Sequence, residues 1–211
     1  MSPFLPDEPH SCRSASHAII EPMTIADAQR AVRSTFLGGF PGQLVASLVW
    51  FASAALATWD SHRAGILALV FGGMLIFPLT QLLLRAMSRP ASLPKGHPMN
   101  GLAIEVAFIV PLMLPLIGAA TLHRTDWFYP AFMIVVGAHY LPFIFLFGMR
   151  HFGVLAALLI GCGLMLGVYM PSAFSPGGWI TAALLLIFAF IGRRAVTKEG
   201  ARSVSPGGTK L

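Results

Sequence analysis

Few side chains in this 211-residue chain stand where burial would give a polar group unusual chemistry. Glu105 lies in the run GLAIEVAFIV, four residues past the start of an apolar segment, or roughly 6 Å inside it at helical rise. A carboxylate at such a position is a functional candidate because its charge is costly in lipid. Its alternative is structural: an anchor reaching the headgroups or pairing with Arg85 or Arg150. His139 and Tyr140, in VVGAHYLPF, lie deeper, near the middle of another apolar run. An imidazole there either relays protons or hydrogen-bonds a neighbouring helix as a neutral ring. Gln81, in FPLTQLLLR, adds an amide. Together Gln81, Glu105, His139 and Tyr140 supply donors and acceptors able to line a polar pocket open to the cytoplasm.

Prolines form a second set. Pro78, Pro111, Pro115 and Pro142 all fall inside apolar runs, where each removes one backbone hydrogen bond and bends its helix. The carbonyls freed are those of Met74, Ala107, Pro111 and Ala138, and in lipid each needs another partner. Gly73 and Gly137 each precede a proline by five residues, which is either a weak internal repeat or chance. Gly161, Gly163 and Gly167 include a G-x-x-x-G, a pattern that lets helices approach closely. Other constellations are weaker. Asp60, His62, His123 and Asp126 can ligate a metal but sit in two separate loops without ligand spacing, so no metal site is assigned. Ser47 and Ser53 would need His139 beside them to act as nucleophiles, and nothing in the sequence places them together. The chain has no H-E-x-x-H, P-loop or G-x-S-x-G motif, and neither an enzyme nor a cofactor is expected.

The elements that must position these groups follow from composition. Hydrophobic residues make up 56% of the chain and charged residues 10%, with a mean hydropathy of +0.75. Soluble domains carry about a quarter charged residues, so the chain reads as an integral membrane protein. Six apolar runs, at 43–59, 64–84, 101–121, 127–148, 153–172 and 178–192, approach the roughly 20 residues that a span requires. The last is short. Before them, residues 1–22 hold four of the sixteen prolines and no apolar periodicity, which reads as a disordered extension without a cleavable signal. Thr24 with Asp27 resembles a capping box. Ile25, Ala28, Val32 and Phe36 then recur at helical spacing, predicting an amphipathic helix over 24–37 lying on the membrane surface. Residues 193–211 form a basic tail. Cys12 and Cys162 make no disulfide framework.

The formal charge is +6. Its basic residues are dispersed among short loops, which argues for membrane orientation rather than nucleic acid. With both termini inside, 12 of the 14 Lys and Arg face the cytoplasm, as the positive-inside rule requires. Trp59, Trp127 and Trp179 then all fall at the outer interface, where indole rings prefer to sit. The fold class expected is therefore all-α: a polytopic bundle of six spans, N-in and C-in, preceded by a short interfacial helix.

Several stretches carry a family resemblance: FLGGFPGQLVASLVWF at 36–51, FPLTQLLLR at 77–85, SRPASL at 88–93 and NGLAIEVAFIVPLMLPL at 100–116. To these belong WFYPAFMIVVGAHYLPFIFLFGM at 127–149 and GGWITAALLLIFAFIGR at 177–193. Over residues 24–193 the chain resembles a family of small bacterial integral membrane proteins classed as a domain of unknown function. The resemblance implies six spans in a bacterial cytoplasmic membrane and no activity. The functional expectation is a transporter-like or small-solute-binding bundle, with a structural or regulatory subunit of a membrane complex as the alternative and an intramembrane enzyme ranked below both. Its partners are the bilayer and either a small solute or a membrane protein. The charge asymmetry makes the topology testable in a variant lacking Cys12 and Cys162. A single cysteine at Lys95 or Lys210 should resist an impermeant outside reagent in intact cells, and labelling at either would invert the topology.

Overall fold

The computed structural model describes residues 23–170 and 173–204, with side chains to 201. The 1–22 extension and the end of the basic tail lie outside the described residues. Within them are seven α-helices and no strand: α1 (Ile25–Thr35), α2 (Phe40–Trp59), α3 (His62–Ala86), α4 (Asn100–His123), α5 (Phe128–Phe147), α6 (His151–Tyr169) and α7 (Pro176–Val204). Six of these, α2 to α7, are long and apolar enough to cross a membrane. The sixth span is not short. The basic residues taken as a tail continue the same helix, and α7 runs for 29 residues, about 43 Å at helical rise.

The bundle has an inner set and a periphery. Helix α2 packs on α7, α7 on α6, and α6 on α5, while Trp50 of α2 closes the ring against Tyr129 and Phe132 of α5 at centroid distances of 5.9 and 5.3 Å. Trp50 is only 2% exposed, so aromatic packing of this kind dominates the core. Helix α3 leans on α2 and α4 on α5. Each buries a narrow stripe: Gly65, Leu69 and Leu84 in α3, Val106 and Ile117 in α4.

Close approach in the inner set depends on glycine. A Cβ on Gly163 of α6 would stand 2.9 Å from the Pro130 carbonyl of α5, and one on Gly137 would stand 2.7 Å from Ile160. The G-x-x-x-G therefore serves helix packing. Gly73, the counterpart of Gly137 in the suspected repeat, has nothing within 4 Å, so the two glycines share no structural role. All four prolines do lie inside helices: Pro78 in α3, Pro111 and Pro115 in α4, Pro142 in α5.

Helix α1 starts as its sequence indicates, with the Thr24 hydroxyl accepting from the Asp27 amide at 3.2 Å. Its apolar face goes mainly to protein rather than lipid, because Ala28 and Val32 are buried against the bundle while Ile25 remains exposed. Two polar side chains lock it there. Gln29 donates from Nε2 to the Phe145 carbonyl at 2.6 Å, and Arg33 donates from Nη1 to the Phe147 carbonyl at 2.8 Å. Both carbonyls belong to the last turn of α5, which has no intrahelical donors left for them. Arg33 also grips Glu199 of α7 through Nε and Nη2 at 3.1 and 2.8 Å. After α1 the chain turns through Leu37, Gly38 and Gly39, all at positive φ. A Cβ on Gly38 would meet the Gly192 carbonyl at 2.7 Å, so this turn sits backbone to backbone on α7.

Gly148, which ends α5 at φ +64, has Gln29 only 2.5 Å from where a Cβ would be. Gly148→Ala should thus both strain the turn, by about 1–2 kcal/mol, and push α1 away. Arg33→Ala should release α1 through a different cause, the loss of charge-assisted bonds worth about 1–3 kcal/mol together. In either variant, hydrogen exchange across 25–35 should rise while α5 and α6 stay protected; unchanged protection in both would refute this account of how α1 is held.

Candidate functional site

Two halves of the bundle treat their polar side chains differently. Toward the end bearing Trp59 and Trp179 several buried polar side chains are bonded, although Nε1 of Trp127 has no partner among the described residues. Ser53 donates to the Gly65 carbonyl at 2.8 Å, which uses its only proton, so the Tyr129 hydroxyl must donate to Ser53 across 2.6 Å. This places Ser53 with Tyr129 and not with His139. Trp179 donates to the Thr58 hydroxyl at 3.1 Å and packs edge-on against Trp59 and Phe51. The outer loop histidines are likewise engaged with rings, His62 stacked on Phe174 at 4.0 Å and His123 against Trp127 at 5.8 Å. No group of three or more potential metal ligands occurs among the described residues.

Toward the basic end, which α1 covers, several buried polar atoms have no hydrogen-bond partner among the described residues. Besides Nε2 of His97 in the loop before α4, they are both amide atoms of Gln43, Oγ1 of Thr80, Nδ1 of His139 and Nε2 of His151. Four helices supply them. Gln43 stands one turn into α2, just beyond Pro41, which starts the helix after the left-handed Gly39. It is 2% exposed. The Tyr140 hydroxyl of α5 comes within reach of its amide, but neither amide atom completes a bond. Thr80 of α3 lies against the other face of α2, its Oγ1 3.9 Å from where a Cβ on Gly42 would be. The His139 ring rests on the Val106 carbonyl of α4 and packs against Tyr140 and Phe143. Phe152 of α6 stacks on Tyr140 at 6.0 Å and lies 4.4 Å from the ring of His151. His151 Nε2 in turn faces Gly192 of α7.

Gln43, Tyr140, His139 and, through the Phe152 ring, His151 make a polar belt across α2, α5 and α6, with Thr80 beyond α2 and Pro142 freeing the Ala138 carbonyl beside it. The belt contains no Asp, Glu, Lys or Arg. Its donors and acceptors suit an uncharged hydrogen-bonding guest or ordered water, since an orphaned buried polar atom calls for some partner. The structure brings together only part of the set expected from sequence. His139 and Tyr140 belong to the belt. Gln81 is half-buried beside Thr80, without a hydrogen bond. Glu105 is exposed although its neighbour Val106 is buried, and no ion pair joins it to Arg85 or Arg150. Gln43, Thr80 and His151 escaped the sequence reading. Gln43 marked the edge of a span, and His151 fell in what was taken for a short loop. A cavity of about 330 Å³ between α4 and α5 is apolar, lined by Leu116, Ile117, Ala120, Ala131 and Ile134 among others, with none of the belt residues.

Six apolar helices around an aromatic core, with a polar belt in one half, define a multi-pass helical membrane protein. Residues 25–194 match a family of unknown function, DUF7010, and the chain belongs to that family. The match covers the stretch over which the sequence resemblance was drawn. No curated protein and no solved structure matches the chain.

The completed Ser53–Tyr129 bond gives a reference for the incomplete ones. Tyr129→Phe removes a satisfied buried hydrogen bond and should lower stability by about 0.5–1.5 kcal/mol in reversible unfolding from mixed micelles. No loss of stability would contradict the hydrogen-bond assignment.

Proposed function

We propose that this family member is a small-solute-binding, transporter-like bundle of a bacterial cytoplasmic membrane, with the polar belt as its site. The observation that carries the reading is Gln43. A buried amide with no partner costs about 1–3 kcal/mol, more where lipid excludes water, and a guest able to both donate and accept would remove that cost. The absence of Asp, Glu, Lys and Arg from the belt favours a neutral solute over an ion. With the basic end inside, the belt is reached from the cytoplasm through the face that α1 covers. Glu105, exposed near the start of α4, acts in this reading as an interfacial anchor. No catalytic step is assigned.

A second reading is a structural or regulatory subunit of a membrane complex. It is favoured by α3 and α4, whose outward faces expose Phe71, Met74, Phe77, Leu112 and Leu116. Under that reading the unpartnered belt has no ligand to explain it.

The test replaces both neighbouring polar groups with apolar groups of similar shape. Gln43→Met with Tyr140→Phe should leave stability in nanodiscs unchanged or raised, as expected when neither group is left orphaned. A loss of about 1–3 kcal/mol would instead mark the pair as a structural tie and sink the proposal. In a thermal-shift panel of amides, polyols and neutral amino acids, the wild type should be stabilised by at least one solute and the double variant by none. Absence of any shift, with a stoichiometric membrane partner co-purifying, would establish the second reading.

A further inference from the structure

The long last helix carries a feature outside the polar belt. An open groove on the side of α7 is lined by Phe190, Arg193, Arg194, Thr197 and Lys198. Three of its five lining side chains are cationic and none is acidic. Counted from Pro176, Arg193 lies about 26 Å along the helix, close to the roughly 30 Å depth of a bilayer core. Phe190 therefore remains on the hydrocarbon side, the two arginines meet the headgroup layer, and Lys198 stands one turn beyond.

The nearby charges leave these cations available. Glu199, adjacent in sequence, is held by Arg33 at 2.8 Å and approached by Arg30 at 3.7 Å, both from α1. Neither Arg194 nor Lys198 has an ion-pair or hydrogen-bond partner among the described residues. The Arg193 guanidinium sits 4.8 Å over the Phe40 ring, a contact that fixes its position without neutralising it. The Thr197 hydroxyl donates to the Arg193 carbonyl at 3.0 Å, so its proton is committed and the groove's donors are the three cations. The wall is braced, because at Gly192, one residue before Arg193, the helix meets the Gly38 turn backbone to backbone.

We propose that this groove binds a phosphate group at the membrane surface, carried by an acidic phospholipid headgroup or by a free phosphate. Guanidinium forks match phosphate oxygens in pairs, and an ammonium adds a point charge. A phospholipid would also lay an acyl chain along Phe190.

The full chain in phosphatidylcholine nanodiscs, with and without added phosphatidylglycerol, tests the site by native mass spectrometry of retained lipid. The wild type should retain phosphatidylglycerol at least tenfold more readily than phosphatidylcholine. Arg194→Gln with Lys198→Gln should lose that preference, and Arg194→Lys with Lys198→Arg should keep it. Should the neutral double variant fail to fold, each neutral single variant is expected to lose about threefold and carries the same test. Inorganic phosphate, added alone to protein in phosphatidylcholine, separates the sources. If phosphate raises the melting temperature and displaces phosphatidylglycerol, the ligand is free phosphate; if it does neither while phosphatidylglycerol is retained, the ligand is the lipid. Retention of both lipids alike with no response to phosphate, or a preference that survives neutralisation, would overturn the proposal.

Discussion

The guanidinium of Arg33 joins two elements that lie 114 and 166 residues further along the chain, the Phe147 carbonyl of α5 and the Glu199 carboxylate of α7. Few side chains other than arginine could do this, since the task needs a rigid fork with donors on several edges. The consequences spread outward. With α1 laid across the end of α5, the chain has only the Leu37–Gly39 turn in which to reverse, and that turn presses on Gly192. The turn in turn sets where α2 begins, and so places Gln43 beside Tyr140. A positive group at the C-terminal end of α5 also meets the negative end of that helix's dipole. The arrangement of the polar belt is thus downstream of a contact made at the surface of the molecule.

Packing and polarity are divided along the membrane normal. In the half bearing Trp59 and Trp179, every step from Tyr129 through Ser53 to the Gly65 carbonyl is a made bond, although Trp127 keeps an unpartnered Nε1. In the half under α1, Gln43 is as deeply buried, Thr80, His139 and His151 are partly buried, and each carries a buried polar atom that is unpaired. A bundle held only by shape would have little reason to place an amide, a hydroxyl and two imidazoles there, because apolar residues of the same size pack at least as well without a desolvation cost. Helices α3 and α4 contribute little to the inner ring. Their role in the site is limited to Thr80 and the Val106 carbonyl, one group from each.

The number of spans and their approximate limits were legible because apolar run length and the placement of Lys, Arg and Trp are properties of local sequence. The helix after Thr24 was legible for the same reason, down to its capping hydroxyl. What covers that helix was not. Ala28 and Val32 look alike whether they face lipid or protein, and only the distant Phe145 and Phe147 carbonyls decide. The sequence marks where the sixth apolar run ends but not where α7 ends, since a helix can continue into water once it has left the hydrocarbon. For the site, His139 and Tyr140 stood out by depth alone. Gln43 did not, since an amide near a span boundary looks solvated until Tyr140 and the α1 turn enclose it. Glu105 attracted attention for its charge, yet the face of α4 it occupies is set by Val106 packing inward, a choice that the uniform hydrophobicity of α4 leaves open.

The pairing of α2 with α7 joins the first membrane helix to the last. A ribosome adding roughly 5–20 residues per second needs on the order of 10–30 s to travel from Gln43 to Gly192. Through that interval α2 resides in the bilayer with only α3 as a companion from the start, and its Gln43 and Trp50 wait for α5 before the closing helix arrives. Ser53 is provided for early by the Gly65 carbonyl, twelve residues away, whereas Gln43 has no such neighbour close in the chain. A nascent polypeptide halted before α7 would therefore leave one side of α2 facing lipid or a chaperone, and completion of the last span is the event that commits the protein to its final arrangement.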